Sequence, residues 1–156
     1  MGDRLCGECN PAIVIDAYSF CQQIMSLDQH DSLRQAALTV RSQAYAPYSK
    51  FQVGAAVLTA DGEVFAGCNV ENASYGLTIC AERVAVGTAV AAGHKQIVAV
   101  AVASSGGHSP CGACRQVLSE FGPAMEVILI DADDPTKMRT TTLATLLPEQ
   151  FSSGAL

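Results

Sequence analysis

Two short stretches, Cys80-Ala81-Glu82 and Pro110-Cys111-Gly112-Ala113-Cys114, bring together residue types that could do chemistry. Three thiolates can hold a zinc ion and leave its fourth position to water. Cys111 and Cys114 lie three apart in what reads as the first turn of a helix, so both sulfurs can face one metal; Cys80 sits similarly at the start of another helix. The dipole and unpaired N–H groups of a helix start favour thiolate over thiol. That matters because three thiolates overcompensate one Zn²⁺ and leave a charge of about −1, which opposes the lowered water pKa that hydrolysis needs. Arg83 and Arg115 each follow a motif residue directly and are placed to donate hydrogen bonds to sulfur, Arg83 the more so. A surface ion pair is the alternative for both. Glu82 has a separate task. A carboxylate two residues from a ligand, yet not itself a ligand, can carry a proton from water to a ring nitrogen and then to a departing amine.

Other readings compete. Cys111-Gly112-Ala113-Cys114 alone fits a thioredoxin-like redox pair, which leaves Cys80 and Glu82 unexplained. A closed structural zinc site needs a fourth Cys or His. His108 is the candidate to close it, although its glycine-rich loop before a proline argues against that. A zinc-stabilised binding module without catalysis is the corresponding non-enzyme reading. Cys6-Gly7-Glu8-Cys9 stands on a polar tail and reads as unused, and Cys21 reads as apolar filler.

The elements that must position these residues follow from pattern. Asn10-Pro11 reads as a cap and a first-turn proline, and Ile13, Ala17, Phe20 and Ile24 recur at helical spacing. They predict a helix over about 12–26, after a tail of residues 1–11. Polar residues Asp28 to Asp31 break the pattern, with His30 facing solvent; a second helix with Leu33, Ala36, Ala37 and Val40 on one face then runs to about Gln43. Tyr45 to Phe51 is an aromatic connection kept out of helix by Pro47, its rings read as core plugs rather than stacking surfaces. The runs 51–59 and 63–70 flank Ala60-Asp61-Gly62, a hairpin signal. Beyond it, Asn69 and Glu71 share one side of the strand. They could offer an amide and a carboxylate to sugar hydroxyls, or Glu71 could be a solvated rim charge.

The helix opening at Cys80 and ending near Gly93 is apolar all round and is predicted to be buried. Gln96 to Ala103 reads as a strand buried on both faces. A helix over 111–121 ends at Gly122-Pro123, a strand spans 126–130, a short edge strand 137–141 and a last helix 143–147. This order predicts one domain over 12–156, a single α/β sheet with helices on its faces.

The 156 residues are 49% hydrophobic and only 15% charged, which fits a packed domain with some apolar surface covered by further copies of the chain. A net charge of −6 with no basic run excludes a grip on DNA or RNA and favours a small neutral substrate. The seven cysteines are odd in number, and the start at Met1 has no apolar leader. No apolar run approaches the roughly 18 residues of a membrane span. A reducing cytosol is the expected location, with no membrane partner.

Five segments, in order and over about two thirds of the chain, carry a resemblance. They are Tyr45-Ala46-Pro47-Tyr48-Ser49-Lys50-Phe51 with the Gln52 to Ala56 that follows, Gly67-Cys68-Asn69-Val70-Glu71-Asn72-Ala73, Thr78-Ile79-Cys80-Ala81-Glu82-Arg83, Ser109-Pro110-Cys111-Gly112-Ala113-Cys114-Arg115-Gln116, and Leu146-Leu147-Pro148 followed by Phe151. Together they resemble the small homotetrameric cytidine deaminases, in the three-cysteine form of the zinc nucleobase-deaminase signature. The resemblance implies a three-layer fold with a mixed five-stranded sheet flanked by helices. It implies one Zn²⁺ per subunit on Cys80, Cys111 and Cys114, with Glu82 catalytic and Arg83 donating to the ligand sulfurs. It implies that Asn69 and Glu71 bind ribose, that Phe51 packs against the nucleoside, and that Ala81 lies at the substrate. Tyr75 and Phe151 would complete neighbouring subunits' sites in a homotetramer. The implied reaction is hydrolytic deamination of cytidine and deoxycytidine to the uridine forms, in pyrimidine salvage. The related blasticidin S deaminases share the zinc motifs but not the Asn69-Val70-Glu71-Asn72 run, which favours an ordinary nucleoside. The N-terminal portion is longer than usual for the family and the Ser104 to Ser109 loop is short, so the resemblance supports neither the first helix nor the base-side wall.

Overall fold

A computed structural model describes residues 25–152. The tail over 1–11 and the helix expected from about Ala12 lie outside the described residues, apart from Met25 and Ser26. Helix α1 spans Leu27–Arg41 and begins where a polar break was expected. Ser26 Oγ accepts from Gln29 N (3.2 Å) and Gln29 Oε1 accepts from Ser26 N (3.0 Å), a reciprocal capping box. Asp28 to Asp31 are therefore early helical residues, with the first-turn Asp28 favoured by the positive end of the helix dipole. Nor does His30 simply face solvent: its Nε2 lies 3.7 Å from Glu126 Oε2.

Strands β1 (Val53–Thr59) and β2 (Val64–Cys68) form the expected antiparallel hairpin, closed by Gly62 N–H donating to Thr59 O at 3.0 Å. A 3₁₀ turn, Tyr75–Leu77, leads to α2 (Ala81–Ala91). Then follow β3 (Ile97–Ser104), α3 (Gly112–Phe121), β4 (Glu126–Asp131), β5 (Met138–Thr142) and α4 (Leu143–Leu146). The sheet order is β2-β1-β3-β4-β5. Only β3 and β4 pair in parallel, so the sheet is mixed and five-stranded.

Side chains alternate across the strands, as the two-residue period requires. Ala55 and Val57 face Ala81, Ala85, Leu118 and Leu143, whereas Ala56 and Leu58 face Leu33 and Ala37. The layers are thus α1, the sheet, and α2 with α3 and α4. Strand β3 is buried almost throughout, as expected. Small residues let the helices sit close. A Cβ on Gly54 would lie 2.1 Å from Ala37 O, and one on Gly67 2.4 Å from Ala85 N. Both are backbone contacts that only glycine permits, and the second seats α2 directly on β2. Helix α2 is not buried all round: Gly87, Thr88 and Ala91 are exposed, because no layer among the described residues covers that face. No helix among the described residues is long and apolar enough to cross a membrane.

Candidate active site and metal centre

Strands β2 and β3 are each antiparallel to the β1 between them, so they run the same way. The helices that follow both strands therefore start at the same end of the sheet, the end where α/β sheets bind ligands. Cys80 and Cys111 are the N-cap residues of α2 and α3, and Cys114 lies in the first turn of α3. The three sulfurs lie within 4.8 Å of one another, the one such donor cluster among the described residues. His108 is not part of it, so the fourth ligand of a closed structural site is not supplied from there. A dithiol pair would not need the third sulfur. Three sulfurs facing two helix starts fit one zinc ion with a position left for water.

Hydrogen bonding from Cys114, followed by the effect of Arg83, lowers the Cys80 thiol to about 5. Keeping the shared proton, together with burial, pushes the Cys114 thiol up. Arg83 Nη2 lies 3.6 Å from Cys80 Sγ and 3.2 Å from Thr78 O. Arg115 is placed differently. It donates from Nε to Pro110 O (2.8 Å) and from Nη1 to Leu146 O (2.9 Å), tying the start of α3 to the C-terminal segment instead of a sulfur.

Glu82 occupies the first turn of α2 and is only 4% exposed. Burial pushes its carboxyl above the ordinary value, and the neighbouring Cys80 thiolate acts in the same direction. Glu82 lines a pocket of about 300 Å³ with Cys80, Ala81 and Cys111. Phe51, Asn69 and Glu71 line the same pocket from the hairpin side.

The hairpin residues are more engaged than their spacing suggested. Asn69 is buried; its Oδ1 accepts from Val53 N (2.8 Å) and its Nδ2 donates to Phe51 O (2.9 Å). Glu71 Oε2 accepts from Tyr48 N (2.8 Å) and Ser49 N (3.3 Å), and Ser49 Oγ donates to Oε1. The Ser49 hydroxyl, aided by these N–H groups, holds the Glu71 carboxyl below its usual range. Glu71 is therefore no free rim charge. The rings of Tyr45, Tyr48 and Phe51 are not core plugs, since all three are exposed, Phe51 at 40%. Their loop is secured by hydrogen bonds to the end of β2 and not by ring burial.

Tyr75 (78% exposed) and Phe151 (61%) stand outside this pocket. Tyr75 meets Tyr48 edge-on at 6.2 Å, and Phe151 O accepts from Gln116 Nε2 at 2.9 Å. Among the further lining residues that the sequence did not single out for the substrate are His108 and Ser49. His108, weighed only as a metal ligand, places its ring 6.0 Å from that of Phe51. Ser49 carried no signal beyond its place in the aromatic segment.

Residues 27–130 match the family described as the cytidine and deoxycytidylate deaminase zinc-binding region. The chain belongs to that family. It is 50% identical over 119 residues to a cytidine deaminase of Sporosarcina psychrophila, covering 74% of this chain and 86% of the relative. It is 45% identical over 123 residues to that of Halalkalibacterium halodurans, covering 78% and 92%. The crystal structure of cytidine deaminase from Burkholderia pseudomallei superposes with a TM-score of 0.73 at 51% identity, over 78% of this chain and 98% of that one. The three-layer fold with its mixed five-stranded sheet is therefore that of cytidine deaminases.

Proposed function

We propose that this chain is a zinc-dependent enzyme that hydrolyses the exocyclic amine of cytidine and deoxycytidine, releasing ammonia and the uridine forms. One observation carries the reading: the buried Glu82 and two of the three clustered sulfurs line the same pocket as Asn69 and Glu71. Held by Cys80, Cys111 and Cys114, zinc supplies a Lewis acid that lowers the pKa of water. Glu82 moves the protons. With its carboxyl shifted upward by burial, it carries one proton of the attacking water to the ring nitrogen, then the second, from the hydroxyl left on the ring carbon, to the amine, which departs as ammonia when the C–N bond breaks. Arg83 keeps the Cys80 sulfur anionic, and Ala81 lies beside Glu82 at the substrate.

The sugar is read by what Asn69 and Glu71 have left. Three donors occupy Glu71 and two bonds occupy the Asn69 amide, leaving spare capacity on each. A single hydroxyl, donor and acceptor at once, satisfies both, which supports acceptance of ribose and deoxyribose alike. Phe51 offers its exposed ring to the nucleoside. Among the described residues the pocket lining contains Glu71, Glu82 and thiols but neither Lys nor Arg, which disfavours a 5′-phosphate. The exposed Tyr75 and Phe151 support a homotetramer in which each chain completes a neighbour's site. The free thiols support a reducing cytosol, where the reaction serves pyrimidine salvage.

The test is an ultraviolet assay of the zinc-loaded protein with cytidine, deoxycytidine, dCMP and blasticidin S in parallel. Turnover is expected for the two nucleosides. Inactivity on all four would leave a zinc-stabilised binding module. Light scattering checks the assembly; an active monomer would remove the shared-site reading.

A further inference from the structure

We propose that Ser49 is a positioning residue whose hydroxyl couples the Glu71 carboxylate to the Phe51 wall of the pocket. The proposal rests on the sugar-binding reading of Glu71 given above. Ser49 Oγ has one proton, and donates it to Glu71 Oε1. The same oxygen accepts from Phe51 N at 3.0 Å. The Phe51 carbonyl in turn accepts from Asn69 Nδ2 at 2.9 Å, and Asn69 Oδ1 holds the N–H of Val53. The backbone of Phe51 is thus suspended on both sides. Its N–H is held through Ser49 to Glu71, and its C=O directly by Asn69.

The residue between Ser49 and Phe51 shows that this turn is held and not relaxed. Lys50 has φ of 59°, the left-handed region that non-glycine residues avoid, and its N–H donates to Ala46 O at 3.1 Å. Backbone bonds between Tyr45 and the end of β2 close the loop from the other side: Tyr45 N donates to Asn69 O (3.0 Å) and Glu71 N to Tyr45 O (2.8 Å). Without the Ser49 hydroxyl, the Glu71 carboxylate loses the donor that fixes Oε1, and the Phe51 N–H loses its acceptor at the same stroke. One deletion misaligns both halves of the site while leaving Glu82 and the sulfurs untouched.

Ser49→Ala is expected to raise KM for cytidine about 10–100-fold, the equivalent of one or two charge-assisted hydrogen bonds, with kcat within threefold and zinc content unchanged. Ser49→Thr keeps the hydroxyl and should restore KM to within a fewfold of the parent, which a purely structural loss would not allow. In a double-mutant cycle with Glu71→Gln, the pair should cost less than the sum of the two single changes, because both break the Ser49–Glu71 link, while the Phe51 N–H bond is lost only with the Ser49 hydroxyl. A KM within twofold of the parent in Ser49→Ala, or fully additive effects in the cycle, would overturn the proposal. The two layers fail separately. If Glu71→Gln leaves KM unchanged, the sugar-binding reading of Glu71 is wrong; if it raises KM while Ser49→Ala does not, only the coupling through Ser49 is wrong.

Discussion

Exchanging Glu82 for Gln tests the proton carrier most directly. Gln has the same shape, so the start of α2 and the pocket wall should keep their form. Glu82 is only 4% exposed and meets solvent through the pocket it lines. A positioned acid–base group contributes about 10²–10⁴ to the rate. Glu82 serves two transfers in succession, first to the ring nitrogen and then to the amine, so kcat should fall at least about 10⁴-fold, roughly 5.5 kcal/mol of barrier. Binding should survive, because Glu82 stands outside the donor cluster of Cys80, Cys111 and Cys114. Thermal stability should hold or rise, since the substitution removes a carboxyl that burial already disfavours in its ionised form. The assay is steady-state deamination at saturating cytidine, with zinc per chain measured on the same sample. Turnover within tenfold of the parent at full zinc content would remove Glu82 from proton transfer. Loss of zinc would instead make it a ligand.

Arg83→Gln should weaken zinc affinity about 10–100-fold in a chelator competition. At 3.6 Å the Arg83–Cys80 attraction is about 4–5 kcal/mol for an effective dielectric near 20, and solvent screening at this partly exposed site leaves about a third; unchanged affinity would show that Arg83 does not support the sulfur. Gly67→Ala drives a Cβ to 2.4 Å from Ala85 N and should cost about 1–3 kcal/mol, with a lowered Tm and reduced kcat as α2 shifts; an unaltered Tm would mean that α2 can move freely on β2. Glu71→Gln should raise KM about tenfold or more with zinc retained. Because its donors hold the Glu71 carboxyl below 4.5, its charge is kept above that pH and lost only as pH falls through the lowered value; a Glu71-dependent rise in KM already between about pH 6 and 5 would contradict the assignment.

Local signals were legible where chemistry and pattern sit in a few adjacent residues. The hairpin at Asp61-Gly62, the almost wholly buried β3 and the stop of α3 at Gly122 all follow from such runs. The start of α1 was not read because the search for apolar periodicity passes over Asp28 to Asp31, whereas the Ser26–Gln29 capping box carries the information in polar residues. The zinc motifs could be paired on paper, but their convergence depends on β2 and β3 running in the same direction, which is a non-local pairing. Arg83 and Arg115 look alike in sequence, each following a motif residue. Only the fold shows one reaching Thr78 and Cys80 and the other Pro110 and Leu146. The aromatic loop misled for the opposite reason. Rings usually secure a segment by burial, and here Asn69 and Glu71 do it with hydrogen bonds, leaving the rings free at the surface.

The N-cap positions of α2 and α3 are occupied by Cys80 and Cys111, and neither side chain makes a capping hydrogen bond. Ser, Thr, Asp or Asn in those positions would have finished each helix from within the chain. A zinc ion held by Cys80, Cys111 and Cys114 would join the two ends instead, so zinc binding is expected to add to the stability of both helix starts. Removing zinc with a chelator is therefore expected to make the two helix starts the first sites of proteolytic cleavage. Limited proteolysis of the chelated and the zinc-loaded protein measures that coupling, and identical cleavage in both would show that the caps do not depend on the ion.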